Sequence, residues 1–226
     1  MGRTAFTLIE LLVVIAVIAV LLSLLAPALA GARRGGDSLR CLANLRQIGL
    51  VSQQYASNHD GYGPALGVPW GRPPFWALVV QQASRSDATG SRDLYSEDSV
   101  LVCPSADREL EGEMTRTYAT SVTGLAGQPG DRADFDAGRV HVRLWLVQLP
   151  TQTAWYLDSD AAPVTGAAPP PTRTISTIDF RNPEHVAQRI GRFHRSGGHD
   201  AFNAAMFDGS ARPHDEVADT WLRPLP

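Results

Sequence analysis

From Leu11 to Ala32 the chain carries no formal charge over 22 residues, most of them Leu, Val, Ile or Ala. Wound as a helix at about 1.5 Å per residue, this run is about 33 Å long and can cross a hydrocarbon core of about 30 Å. A secretory signal has an apolar region of only about 7–15 residues. The run here is longer, although Ala28-Leu29-Ala30 does offer a small-residue cleavage site. Glu10 stands at its head. A charge at mid-membrane costs roughly 2.5–3.5 kcal/mol on insertion scales, so this carboxylate needs a partner or a route to the headgroups. Arg3 precedes the run and Arg33, Arg34 and Arg40 follow it, a count that by itself favours a cytoplasmic C-terminal part.

The 226 residues leave room for one ordinary domain after this segment. A net charge of −3 provides no basic stripe to release phosphate counterions, so nucleic-acid binding is not expected. Cys41 and Cys103 are the sole cysteines and neither lies in a CxxC pair, which leaves structural zinc unsupported. They suit either one disulfide in an oxidising compartment or two buried thiols.

Beyond Pro27 helical spacing continues through Leu39, Leu42, Leu45/Arg46, Ile48/Gly49 and Ser52. Gly35-Gly36 is a place where the helix can bend, with Asp37-Ser38 as a restart cap. Asn58 to Pro64, dense in turn residues, ends it. The texture then changes to short apolar runs. Pro74 to Gln82 reads as a short helix with Pro74 in its first turn. Ser99–Cys103, Arg139–Leu149 and Thr153–Leu157 read as strands. Ala161 to Thr172 reads as a flexible loop. Asn203–Phe207, Asp208-Gly209 and Ser210–Pro213 form a hairpin whose Asp-Gly suits a type I′ turn. One long helix followed by clustered strands predicts an α+β fold, the helix packed on a small, mainly antiparallel β domain.

Candidate chemistry is sparse. His194, His199, Asp200 and Asp208 fall close together, with Asp158 and Asp160 ending an earlier strand, but the spacing matches neither an HExxH helix nor an EF-hand loop. Neither a nucleophile elbow nor a Walker sequence is present. No metal, no cofactor and no enzymatic activity are expected.

Met1-Gly2-Arg3-Thr4-Ala5 followed by Phe6-Thr7-Leu8-Ile9-Glu10-Leu11-Leu12 resembles the start of a type IV prepilin or pseudopilin. Ala5 stands where the family usually has glycine. The resemblance implies cleavage between Ala5 and Phe6 by prepilin peptidase on the cytoplasmic side, and N-methylation of Phe6. It further implies a pilin-like fold anchored once in the inner membrane with an extracytoplasmic C-terminal domain, and a structural subunit of a type IV pilus or type II secretion-like filament. Glu10 would then pair with the new amino terminus of a neighbouring subunit. Pro27 falls where the family helix carries a kinking proline. Residues 1–5 would be the leader, 6–58 the helix and 59–226 the globular domain. The alternatives are a single-pass anchored binding module that does not polymerise, and a domain secreted after cleavage near Ala30.

The globular part resembles prepilin-like proteins whose C-terminal domain is named for an H-X9-DG pattern. The matching strings are Cys41-Leu42-Ala43-Asn44-Leu45-Arg46-Gln47-Ile48-Gly49 with Tyr55, then Asp60-Gly61, Leu101-Val102-Cys103-Pro104-Ser105 and Phe207-Asp208-Gly209. His194, Asp208 and Gly209 are the motif candidates, although 13 residues separate His194 from Asp208 and 8 separate His199 from it.

Overall fold

The computed structural model describes residues 8–66, 74–84, 99–109, 116–125, 140–163, 172–175 and 177–226. Helix α1 (Leu8–Ser57) is continuous, with Pro27 inside it. Gly35-Gly36 does not interrupt it, so the expected restart cap at Asp37-Ser38 is not realised. Two compact units divide the chain, Met1–Asp37 and Ser38–Pro226.

In the first unit, leucine, isoleucine and valine side chains from Leu8 to Leu29 are 47–86% exposed. In the second unit the remainder of α1 buries a stripe of Cys41, Leu45, Ile48, Ser52 and Ala56, a spacing of three to four residues that keeps one face inward. This stripe is rotated from the expected one: Leu39 is 68% exposed, while Cys41 lies fully inside. The reason is covalent and polar anchoring at Cys41, which the apolar pattern does not reveal.

The short helices α2 (Trp76–Ser84) and α3 (Pro104–Glu109) follow. Pro74 lies ahead of α2 rather than in its first turn. Strands β1 (Tyr118–Ser121), β2 (Ala154–Asp158), β3 (Ala161–Pro163), β4 (Thr172–Thr174) and β5 (Thr177–Ile178) come next. Helix α4 (Pro183–Arg189) then precedes β6 (His194–Ser196), β7 (His199–Met206) and β8 (Ala211–His214). The main sheet runs β5-β1-β2-β7-β6, with β8 also on β7, and β3-β4 form a separate pair. Only β1–β5 is parallel among these pairings; the others are antiparallel. The fold is therefore α+β, with Ser38–Ser57 of α1 packed on a small mixed sheet.

Both sheet faces are covered. Cys41, Leu45, Ile48, Trp76, Tyr118, Trp155 and Tyr156 belong to one apolar cluster, and Ala119, Leu157, Ile178, Phe202, Met206 and Trp221 to another. A register shift between Ala154 and Tyr156 lets Trp155 and Tyr156 join the same cluster, as a bulge does by placing consecutive residues off the strict alternation.

Four local expectations differ from the structure. Ser99–Cys103 is a turn rather than a strand: Val102 N–H donates to the Ser99 carbonyl, and Pro104 opens α3. Within Arg139–Leu149, the described residues 140–149 form a bridge from Arg143 to Tyr62 and a 3-10 turn at Leu144–Leu146. Their backbone partners are loop groups, Gly63 N–H to the Val142 carbonyl and Leu144 N–H to the Gly61 carbonyl, so no ladder extends. The loop expected over Ala161–Thr172 has β3 and β4 at its two ends, and 164–171 lie outside the described residues. The β7–β8 hairpin is present, but Asp208 is not among the positive-φ residues while Gly209 is, at φ 84°. The loop is thus a three-residue turn closed by a left-handed glycine, not type I′.

Candidate functional site

At the amino-terminal end Glu10 lies in the first turn of the described part of α1. Ala5 and Phe6 lie outside the described residues. The surface after Glu10 is apolar on every side of the helix. Exposing a leucine or isoleucine rather than burying it forgoes about 1.5–3 kcal/mol, so this segment requires lipid or neighbouring helices.

A second constellation lies inside the globular unit. Cys41 on α1 and Cys103, just before α3, form a disulfide with Cα atoms 4.9 Å apart. His194 Nε2 lies 3.5 Å from Cys103 Sγ and 3.2 Å from Asp158 Oδ2. Cys41, Cys103 and Asp158 are fully buried, and His194 is 4% exposed. The backbone holds each of them. The Tyr118 hydroxyl donates to the Cys41 carbonyl (3.3 Å) and Cys103 N–H to Thr117 Oγ1 (2.6 Å). Asn44 Nδ2 donates to the Val102 carbonyl (3.0 Å). Asn203 N–H donates to Asp158 Oδ2 (2.6 Å).

Electrostatics follow from this burial. Desolvation pushes the Asp158 carboxyl above its usual range, opposed by hydrogen bonding and attraction from His194 and by Asn203 N–H. Tyr118 is pushed well up by burial and then by the Asp158 charge, with Asn44 opposing. Farther off, Ser52 and Tyr156 share a buried 2.8 Å hydrogen bond that ties α1 to β2.

The other acidic and histidine candidates scatter. His199 and Asp200 are exposed at the start of β7, where Asp200 lies 3.7 Å from Arg195. Asp160 N–H donates to the Arg189 carbonyl. His194 pairs opposite Ala201 on β7, whereas Asp208 follows the far end of that strand, its Oδ1 accepting from Ser210 N–H and Oγ. Gly209 lies against α1: a Cβ built there would come within 3.6 Å of Gln53 atoms, and Gln53 Nε2 donates to the Phe207 carbonyl (2.8 Å). The H and DG elements of the motif therefore occupy two different places, His194 at the disulfide and Asp208-Gly209 at the helix contact. Asp158 is among the sequence candidates, whereas Thr117 and Tyr118 carry no sequence signal for this site, and nothing in the spacing from Asp158 to His194 announces their contact.

Residues 1–26 match the family described as Prokaryotic N-terminal methylation motif. No curated protein and no solved structure matches the chain. The match marks a type IV prepilin-like, membrane-anchored chain with one apolar N-terminal helix. Such a motif implies processing by prepilin peptidase and assembly with pilin-like subunits.

Proposed function

We propose that this chain is a structural, non-enzymatic subunit of a type IV pilus or type II secretion-like filament. Prepilin peptidase cuts between Ala5 and Phe6 and methylates the new amine at the cytoplasmic face of the inner membrane. The globular domain lies on the extracytoplasmic side. The observation that carries this reading is the coincidence of the methylation motif with an apolar helix exposed on all sides. Bilayer tails cover that helix before assembly, and the helices of neighbouring subunits cover it afterwards.

Glu10 supplies register. An N-methylated amine remains a cation at neutral pH, and a buried carboxylate is tolerated when it is paired and hydrogen-bonded. The Phe6 amine of an adjacent subunit, four residues upstream of Glu10 in its own chain, meets that need at one axial offset between helices. A slipped offset leaves two uncompensated charges in the apolar filament core.

Glu10→Gln tests the pairing. The variant is expected to be cut and methylated like the wild-type chain yet to be depleted from the sheared filament fraction, remaining in the membrane. Wild-type incorporation of the Gln variant would remove Glu10 from the assembly role.

A further inference from the structure

We propose that Trp145 and Arg143, with the groove that starts at Leu146, bind a carboxylate-bearing pyranose of an acidic polysaccharide. The encounter takes place outside the cytoplasm, a location that rests on the function proposed above. Among the described tryptophans, Trp76, Trp155 and Trp221 are at most 1% exposed, whereas Trp145 is 57% exposed.

This exposed indole is seated in one place. A Cβ built on Gly61 would overlap Trp145 Cε3 and Cζ3, so the six-membered ring lies on bare backbone, and Gly61 itself has φ 75°. Leu144 N–H donates to the Gly61 carbonyl (3.1 Å), which ties the 3-10 turn carrying Trp145 to that same glycine. Tyr62 meets the indole edge-on, with ring centroids 5.3 Å apart and planes at 84°.

The alternation ahead of Trp145 sets its company. Val140 and Val142 are buried, which leaves His141 and Arg143 on the opposite side of an extended strand. Arg143 bridges to Tyr62 through the backbone, and its Cζ lies 5.5 Å from the Tyr62 ring centroid. The His141 ring stands edge-on to Tyr62 at 6.5 Å and is held by its Nδ1 contact to the Gly63 carbonyl. Arg143 lacks such an engagement: its Nε is buried with no partner, and no carboxylate pairs with it among the described residues.

These groups select the ligand. The negative face of an indole attracts the C–H face of a pyranose, while the rim of that sugar keeps its oxygens for polar partners. A guanidinium offers donors only and matches a carboxylate with two parallel hydrogen bonds. Asp60 is the one acid within two residues of Tyr62, His141, Arg143 or Trp145 in the chain. Leu146, itself 45% exposed, also walls a groove of about 330 Å3 that presents Gln148 and Arg223. That is room for a neighbouring sugar unit beside a second guanidinium. Single-stranded nucleic acid also combines stacking faces with anions, but it calls for a basic track, which a chain of net charge −3 does not favour.

The test is calorimetric titration of the full chain in detergent micelles with an α-1,4-linked galacturonate hexamer, against a glucose hexamer of the same linkage. Saturable binding of one galacturonate hexamer per chain is expected, with the neutral hexamer at least about 10-fold weaker. Trp145→Ala should lower the galacturonate affinity by about 10-fold or more. Arg143→Gln should lower it by about 10–100-fold and bring the two hexamers to similar affinity. Should either variant fail to fold, oxidation of the wild-type chain by N-bromosuccinimide with peptide mapping replaces it, and the galacturonate hexamer is expected to protect Trp145. No binding, equal binding of the neutral hexamer, tighter binding of oligothymidylate, or no protection of Trp145 would each overturn the proposal. So would a Trp145→Ala chain that keeps its galacturonate affinity but no longer enters filaments, since the patch would then be a contact between subunits. Binding is read in micelles without assembly, so a failure of the prepilin reading at the amino terminus would not alter this result.

Discussion

Replacing both cysteines by alanine, Cys41→Ala with Cys103→Ala, removes the one covalent tie between α1 and the segment before α3. The bridge spans 62 residues of sequence. Chain-entropy reasoning for a loop of that size gives about 14 cal/mol/K, or about 4 kcal/mol at 25 °C. For a globular unit of this size, each kcal/mol moves the melting temperature by about 2–4 °C, so a fall of about 8–16 °C is expected. Alanine is preferred to serine because both positions are fully buried, and a hydroxyl there would add an unsatisfied group. The assay is near-ultraviolet circular dichroism during heating of the full chain in detergent. Trp76 and Trp155 report locally, with rings 5.1 and 5.0 Å from that of Tyr156 in the cluster that also holds the cysteines. Adding a phosphine should bring the wild-type melt down to that of the variant and leave the variant unmoved. A loss below about 1 kcal/mol would refute the entropic reasoning. It would mean that noncovalent ties such as Tyr118 to Cys41 and Asn44 to Val102 already restrict this loop in the unfolded ensemble.

His214 gives a pH-dependent prediction. Burial, and then the nearby Arg212, lower its pKa from the usual 6.5 to about 4, against the opposing pull of Asp215. Its ring packs on Trp221 at 4.7 Å, and its Nε2 has no partner among the described residues. A base whose folded pKa is depressed is protonated first in the unfolded chain, so stability is full above pH 6.5 and falls as pH drops toward 4. The full linkage would be about 3 kcal/mol, reduced by partial solvent exposure to about 1–2 kcal/mol; His214→Phe should flatten the melting temperature between pH 6.5 and 4, and an unchanged slope would reject the assignment. Gly209→Ala places a Cβ on a backbone at φ 84° and against Gln53. A cost of about 1–2 kcal/mol is expected in the same melt, and a neutral result would mean that the turn does not hold this conformation in solution.

What the sequence revealed and what it hid have the same physical division. The anchor helix, its acid and the hairpin were legible because each depends on local pattern: a charge-free run, a tight motif, a turn residue between apolar segments. The Val140–Leu149 region misled because alternation there is not matched by a neighbouring strand. Trp145 and Leu146 end up 57% and 45% exposed, and the backbone bonds go to loops. Helix α4 went unread although its signal was present: Asn182 caps it by accepting from Glu184 and His185 N–H, with Pro183 opening the first turn. The Cys41–Cys103–His194–Asp158 constellation was the least legible part. Its members lie on four elements, and only the pairing of β2, β7 and β6 brings Asp158 and His194 into contact.

The central claim, that this chain matures as a prepilin, is tested most directly at its amino terminus. Mass spectrometry of the protein recovered from membranes or sheared filaments should find a chain beginning with N-methyl-Phe6. An intact Met1 leader in the assembled protein, or a terminus near Gly31, would contradict the account.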